Sequence, residues 1–317
     1  MNNEKPTTLY KYKKFDTFTL DALVNDKVFL ANPDTFNDPL DCKPHILDDI
    51  FNTDELLEIL EKMVYRKALI NNYANHLPLI KLYGSIDRFY KMIDSLTLDY
   101  VENYTKSIKG LYSSDPNDYK LILLNNIEDH LSQKGTGILS LASDYKCPLM
   151  WSHYGDQHNG LCIGYKPNGE INEFFSKKRI LEVDYDSPRT VETSLTKKAF
   201  LEGSQDAEDK IDEIIYSRKA NQWKYEKEYR MIGQIGLTRS PFILSDITFG
   251  LRCNNSVIYS VMMALSHRPS TRDKSSDAVN FYKIRETKGS FDLEREKISL
   301  DDLWSLPKEH QYNKNVL

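Results

Sequence analysis

Two carboxylates and a guanidinium alternate along Trp223-Lys-Tyr-Glu-Lys-Glu-Tyr-Arg230. Successive strand side chains point to opposite faces. An extended segment here would therefore put Glu226, Glu228 and Arg230 in one row and Tyr225, Lys227 and Tyr229 in the other. Paired carboxylates near a buried region can raise one pKa, which suits general acid–base work or stabilisation of a cation. The competing reading is a solvated edge strand carrying cross-strand ion pairs. Against it, Met231-Ile232 runs straight into core-like sequence. Arg218, Lys219, Lys224, Lys227 and Arg230 outnumber the two glutamates, so the stretch is locally positive and suits a phosphate-bearing ligand.

A second reactive segment is Met150-Trp-Ser-His-Tyr-Gly-Asp-Gln-His-Asn-Gly160. Trp151 and Tyr154 offer rings with polar tips, which commonly line small-molecule pockets. His153 and His158 are five residues apart and would not share a helical face as a metal-binding i, i+4 pair does. The third segment, Phe36-Asn-Asp-Pro-Leu-Asp41, is a fixed turn by composition. It either uses Asp38 to cap backbone amides or aims Asn37 and Asp38 into a cleft. The fourth, Leu9-Tyr-Lys-Tyr-Lys13, would point Lys11 away from Tyr10 and Tyr12 if extended. The sequence has neither G-x-G-x-x-G, nor G-x-x-x-x-G-K-[ST], nor G-x-S-x-G, which argues against dinucleotide-binding Rossmann, P-loop and α/β-hydrolase enzymes.

Elements that could position these segments follow from periodicity. Strands are expected at Leu9–Tyr12, Val28–Ala31, Ile138–Ala142, Leu161–Tyr165, Leu181–Tyr185, Tyr225–Ile235, Ile247–Phe249 and Val279–Ile284. A short helix begins at Thr17 or Thr19. Thr53 can cap a helix bearing Leu56, Leu57, Leu60, Met63 and Val64, and a second carries Ile86, Phe89, Tyr90, Ile93 and Leu96. A third opens at Asp115-Pro116 and can end at Gly135, and Ser204 can cap another with Ile211, Ile214 and Ile215. Strands cluster at both ends of the chain with helices between. The expected fold class is therefore α+β, one domain over 1–317 with a helical insertion at 50–135.

The 317 residues carry 42 Lys and Arg against 47 Asp and Glu, a net charge of −5. That balance gives no global electrostatic reason for nucleic-acid binding, though a local basic groove is compatible with it. The N-terminal MNNEKPTTLYKYKK has no apolar core of a signal peptide, and no run approaches the roughly 20 apolar residues of a bilayer span. The expectation is a cytoplasmic protein with no membrane partner. Cys42, Cys147, Cys162 and Cys253 form no C-x-x-C pair and are expected as free thiols, with no metal.

The four segments in this order resemble a family of uncharacterised bacterial proteins, a domain of unknown function. Its pattern is an LYKY strand, an FNDP-x-D loop, M-W-x-H-Y followed by G-x-C, and W-x-x-E-x-E-Y-R. The resemblance spans roughly residues 9–285 and brings no activity with it. A looser likeness is to ADP-ribosyltransferases of toxin and phage-defence systems. It implies a split mixed β-sheet, NAD as substrate, and a late strand carrying E-x-E, matched by Glu226-Lys-Glu228. On that resemblance Glu228 is the catalytic carboxylate, Glu226 activates the acceptor or holds the ribose, and Arg230 pairs with a carboxylate or phosphate. Tyr10, Lys11, Tyr12, Asn37, Asp38, Trp151, His153 and Tyr154 would bind NAD. A His or Arg in the first strand and a Ser-Thr-Ser triplet are not matched. The expected partners are NAD, a nucleic-acid or protein acceptor, and an antitoxin or phage protein. Two other readings remain: a metal-dependent nuclease or hydrolase using Glu226, Glu228, Asp38 and His153, and a non-catalytic sensor of a nucleotide or phage protein.

Overall fold

The computed structural model describes residues 5–50, 52–110, 116–133, 135–169, 180–268 and 278–303. The chain forms two compact units: one from 1–35, 136–185 and 220–317, the other from 36–135 and 186–219. The class is mixed α+β.

The first unit is built on an eight-stranded sheet. From edge to edge its strands are β12 (Leu293–Lys297), β11 (Asn280–Glu286), β10 (Phe242–Phe249), β5 (Leu161–Pro167), β1 (Leu9–Lys13), β4 (Thr136–Ala142), β8 (Glu228–Gln234) and β6 (Ile180–Glu182). β10 and β11 are parallel and every other pairing is antiparallel. The parallel pair needs a crossover, and the helix Asn255–Ser266 lies on that connection. β2 (Lys27–Leu30) and β9 (Gly236–Arg239) form a separate ribbon.

Alternation gives this sheet two different faces. One packs Leu9, Ile163, Phe242, Ile247 and Phe249 against Leu23 of the helix Thr17–Val24 and Ile258 and Val261 of the crossover helix, forming the main core. The other carries Glu228, Tyr10 and Asp246. On it Glu228 pairs with Ala142, Ala142 with Tyr10, Tyr10 with Gly164 and Gly164 with Asp246. These five residues make one transverse row across β8, β4, β1, β5 and β10. At ordinary strand spacing the two acids stand about 19 Å apart along it.

The second unit is mainly helical. Helices Thr53–His76, Ile86–Gly110 and Pro116–Ser132 bury the apolar stripes that the 3.6-residue period foretells, including Leu56, Ile59, Leu60, Phe89, Ile93, Leu123 and Ile127. The first is capped by Asn52 rather than Thr53, the Asn52 side chain accepting from the Asp54 amide. Ser204 caps Gln205–Ser217 as expected, whereas Asp115 lies outside the described residues. Gly135 has φ +67°, the left-handed geometry that favours glycine after a helix. The unit also takes in 186–219 beyond the expected insertion, adding Thr193–Phe200 and the parallel pair β3 (His45–Leu47) and β7 (Thr190–Glu192).

Candidate functional site

The expected strand Tyr225–Ile235 begins only at Glu228. Asn221–Glu226 is a 3-10 turn, and Lys227 sits at φ 44°, a left-handed conformation uncommon for a lysine. That kink breaks the alternation before the strand starts. Glu228 and Arg230 share a strand face, and Glu226, before the strand begins, accepts a hydrogen bond from the Tyr154 hydroxyl at 2.8 Å. Along this segment Glu228 and Arg230 form an ion pair, and Glu226 is held by a tyrosine.

The ion pair is bidentate. Arg230 Nε donates to Glu228 Oε1 and Nη2 to Oε2, each at 2.9 Å. Arg230 is wholly buried and Glu228 and Glu226 are each 4 % exposed. The Glu228 backbone amide donates to the Tyr185 hydroxyl at 2.9 Å. Charges this deep are tolerable only when paired and hydrogen-bonded in good geometry, which the parallel fork supplies.

Tyr10 and Tyr12 stand on the same sheet face as Glu228; the register puts Lys11 on the opposite face. Lys11 Nζ donates to the Ser140 carbonyl at 2.8 Å. Tyr12 donates to the Asp144 carbonyl at 2.9 Å, and its ring meets Trp151 edge-on. Burial pushes the Tyr10 phenol up to about 12 and the Tyr12 phenol higher still, so both stay protonated.

Trp151 belongs to the helix Pro148–His153, which Pro148 starts at its first position. The indole is wholly buried and donates from Nε1 to the Tyr145 carbonyl at 2.8 Å. His158 stacks on it at 6.0 Å. Three consecutive left-handed residues, Asp156, Gln157 and His158, bring that imidazole round. The turn is possible because Gly155, Gly160 and Gly250 lack side chains: a Cβ on each would meet Trp151 Cε3 at 2.6 Å, the Lys13 carbonyl at 2.3 Å and the His158 carbonyl at 2.2 Å. Trp151 therefore acts as packing for this face, with no ring face presented to solvent. His153 is exposed, its ring 6.2 Å from Tyr154 and 6.3 Å from Tyr225.

Asn37 and Asp38 lie in the second unit. Asp38 Oδ1 accepts from the Leu40 amide at 2.9 Å, the turn chemistry that Asp before proline favours. The buried acid of that loop is Asp41, 3.4 Å from Lys219 Nζ with both side chains almost sealed from solvent.

One cluster escaped sequence reasoning. At the other end of the transverse row Asp246 accepts from Arg295 Nη1 at 2.7 Å and from Ser245 Oγ at 2.7 Å. The Arg295 guanidinium carbon lies 4.2 Å from the ring centres of both Tyr145 and Tyr282 and 5.8 Å from that of Tyr10. A β-bulge between Leu244 and Asp246 sets the acid on this face. Gly164 makes room for it, since a Cβ there would stand 2.4 Å from Asp246 Oδ2. The available signal was Ser245-Asp246 interrupting an apolar strand; Arg295, in Leu-Glu-Arg-Glu-Lys, gave none.

Among the described residues Cys42, Cys147, Cys162 and Cys253 form no disulfide. Among the described residues no three or more His, Cys, Asp or Glu gather as a metal ion would require, and no helix is long and apolar enough to cross a membrane.

Residues 150–231, about a quarter of the chain, match the sequence model of a family described as "Protein of unknown function (DUF2971)". The match opens on Met150-Trp151 and closes on Met231, so it holds two of the four motif segments and supports the resemblance to an uncharacterised family. No curated protein and no solved structure matches the chain.

Proposed function

We propose that the protein is an ADP-ribosyltransferase-like enzyme that consumes NAD, with Glu228 as the carboxylate at the reacting centre. One observation carries this reading: Glu228, its two oxygens fixed by Arg230, stands in the same sheet row as Tyr10. Cleavage of the nicotinamide–ribose bond leaves positive charge on the ribose carbon and ring oxygen. A carboxylate kept ionised and immobile in a low-dielectric setting stabilises that charge without reorganising at the moment of reaction. Arg230 thus acts as a positioning residue. Glu226, held by Tyr154, is the base that receives the acceptor's proton as the new bond to the ribose carbon forms and neutral nicotinamide leaves.

The acceptor is a nucleic acid or a protein in the cytoplasm, and the biological setting is that of a toxin or antiviral effector held in check by a protein partner. No observation favours the metal-dependent alternative. The test is binding without metal. NAD added to the metal-free protein is expected to raise its melting temperature in a dose-dependent way. No shift at millimolar NAD overturns the reading, and a shift that requires Mg²⁺ or Mn²⁺ supports the hydrolase instead.

A further inference from the structure

The Asp246–Arg295 cluster has a different geometry from the buried pair and points to a ligand. Arg295 Nη1 is consumed within the protein: it donates to Asp246 Oδ1 at 2.7 Å and to Thr248 Oγ1 at 3.2 Å. Asp246 Oδ2 is taken by Ser245. The acid is therefore spent on aiming the guanidinium. What remains is the Nε–Nη2 edge, whose two parallel N–H groups match the oxygens of a phosphate or carboxylate. Among the described residues neither atom has a hydrogen-bond partner, and neither is sealed from solvent. The Arg295 side chain is 19 % exposed.

The surroundings select a phosphate group. Arg295 and Asp246 cancel in charge, and Lys146 adds an ammonium 5.7 Å from the centre of the Tyr145 ring. Tyr10, Tyr145 and Tyr282 frame the guanidinium, and among the described residues their hydroxyls make no hydrogen bond to protein. Rings stacked on a guanidinium fix its plane and supply further donors for a multi-oxygen anion. The bulge at Ser245 and the bare Gly164 are local departures from regular sheet that serve this placement.

We propose that Arg295, with Lys146 and the framing tyrosines, forms a binding site for the phosphate group of a nucleotide. Asp246, the acid that aims the guanidinium, stands about 19 Å along the row from Glu228, and the proposal holds whether or not Glu228 is catalytic.

Calorimetric titrations of the full chain with inorganic phosphate, AMP, ADP-ribose and a short single-stranded RNA, each against adenosine, test it. AMP is expected to bind at least tenfold more tightly than adenosine. Arg295→Lys, which retains the charge but not the fork, is expected to lose about tenfold of that affinity. The paired variant Asp246→Asn/Arg295→Gln leaves no buried charge alone and is expected to fold and lose the phosphate preference altogether. Preference for ADP-ribose assigns the site to a free nucleotide, and preference for the RNA to a nucleic-acid backbone. Equal binding of AMP and adenosine, or unchanged affinity in Arg295→Lys, overturns the proposal and leaves the pair as a clamp on the edge strand β12.

Discussion

Two arginine–carboxylate pairs stand on one face of one sheet, at opposite ends of a single row of residues, and they are built differently. Glu228–Arg230 is short-range, two residues apart on one strand, bidentate, and sealed from water. Asp246–Arg295 is long-range, end-on and partly exposed, with the second edge of the guanidinium uncommitted. In the first pair the guanidinium serves the acid, holding both of its oxygens in place. In the second the acid serves the guanidinium, aiming it outward. Burial and the edge of the fork that is used decide which partner is available for chemistry, so an ion-pair distance alone carries little functional information.

The largest expected effect comes from breaking the sealed pair. Arg230→Met strands a buried carboxylate and is expected to cost about 3–5 kcal/mol, measured as a fall in the urea midpoint. Glu228→Gln/Arg230→Met, which removes both charges, is expected to recover most of that loss. Equal stability of the single and paired variants would show that the carboxylate was never dependent on the guanidinium.

A smaller effect is expected from Gly164→Ala. The added methyl group must displace the Asp246 carboxylate, at an overpacking cost of about 1–3 kcal/mol, and it should weaken AMP binding by loosening Arg295. Normal AMP affinity in a folded Gly164→Ala protein would separate Asp246 from any role in aiming the arginine.

The smallest effect concerns pH. Burial, aided by the nearby Arg252, holds His158 below its ordinary value of 6.5, and burial does the same to His130 in the helical unit. A base with a depressed pKa folds neutral. Its contribution is therefore constant above 6.5 and is lost as pH falls below that value, because the unfolded chain takes up the proton first. Unfolding midpoints are expected to decline on acidification from pH 7, and His158→Asn should flatten part of the slope. An unaltered slope would place the dependence in other groups.

The chain made some of this legible and hid the rest for physical reasons. The stripes of Leu56, Leu60, Val64, Leu123 and Ile127 announce their helices because a 3.6-residue period is a local signal. The strands Leu9–Lys13 and Leu161–Pro167 were equally plain. Alternation sets Glu228 with Arg230, but the left-handed Lys227 that separates Glu226 from the strand has no composition signal. Trp151 read as a ligand-stacking ring because type and neighbours say nothing of burial. Arg295 was invisible because its role depends on a pairing of β12 with β11 and β11 with β10, contacts that only topology creates. The strand β2 is expected from Val28–Ala31, but its pairing with β9 and the pair β3–β7 are hidden for the same reason.

Nicotinamide release from NAD tests most directly the proposal that the fixed Glu228 carboxylate acts on a ribose cation. Chromatographic assay of the full chain with NAD, supplied with total RNA, DNA or protein as acceptor, is expected to show free nicotinamide accumulating with the wild type. Glu228→Gln, folded and still stabilised by NAD, should release none above background. Release by Glu228→Gln at the wild-type rate, or none from the wild type with any acceptor, would contradict that role for Glu228.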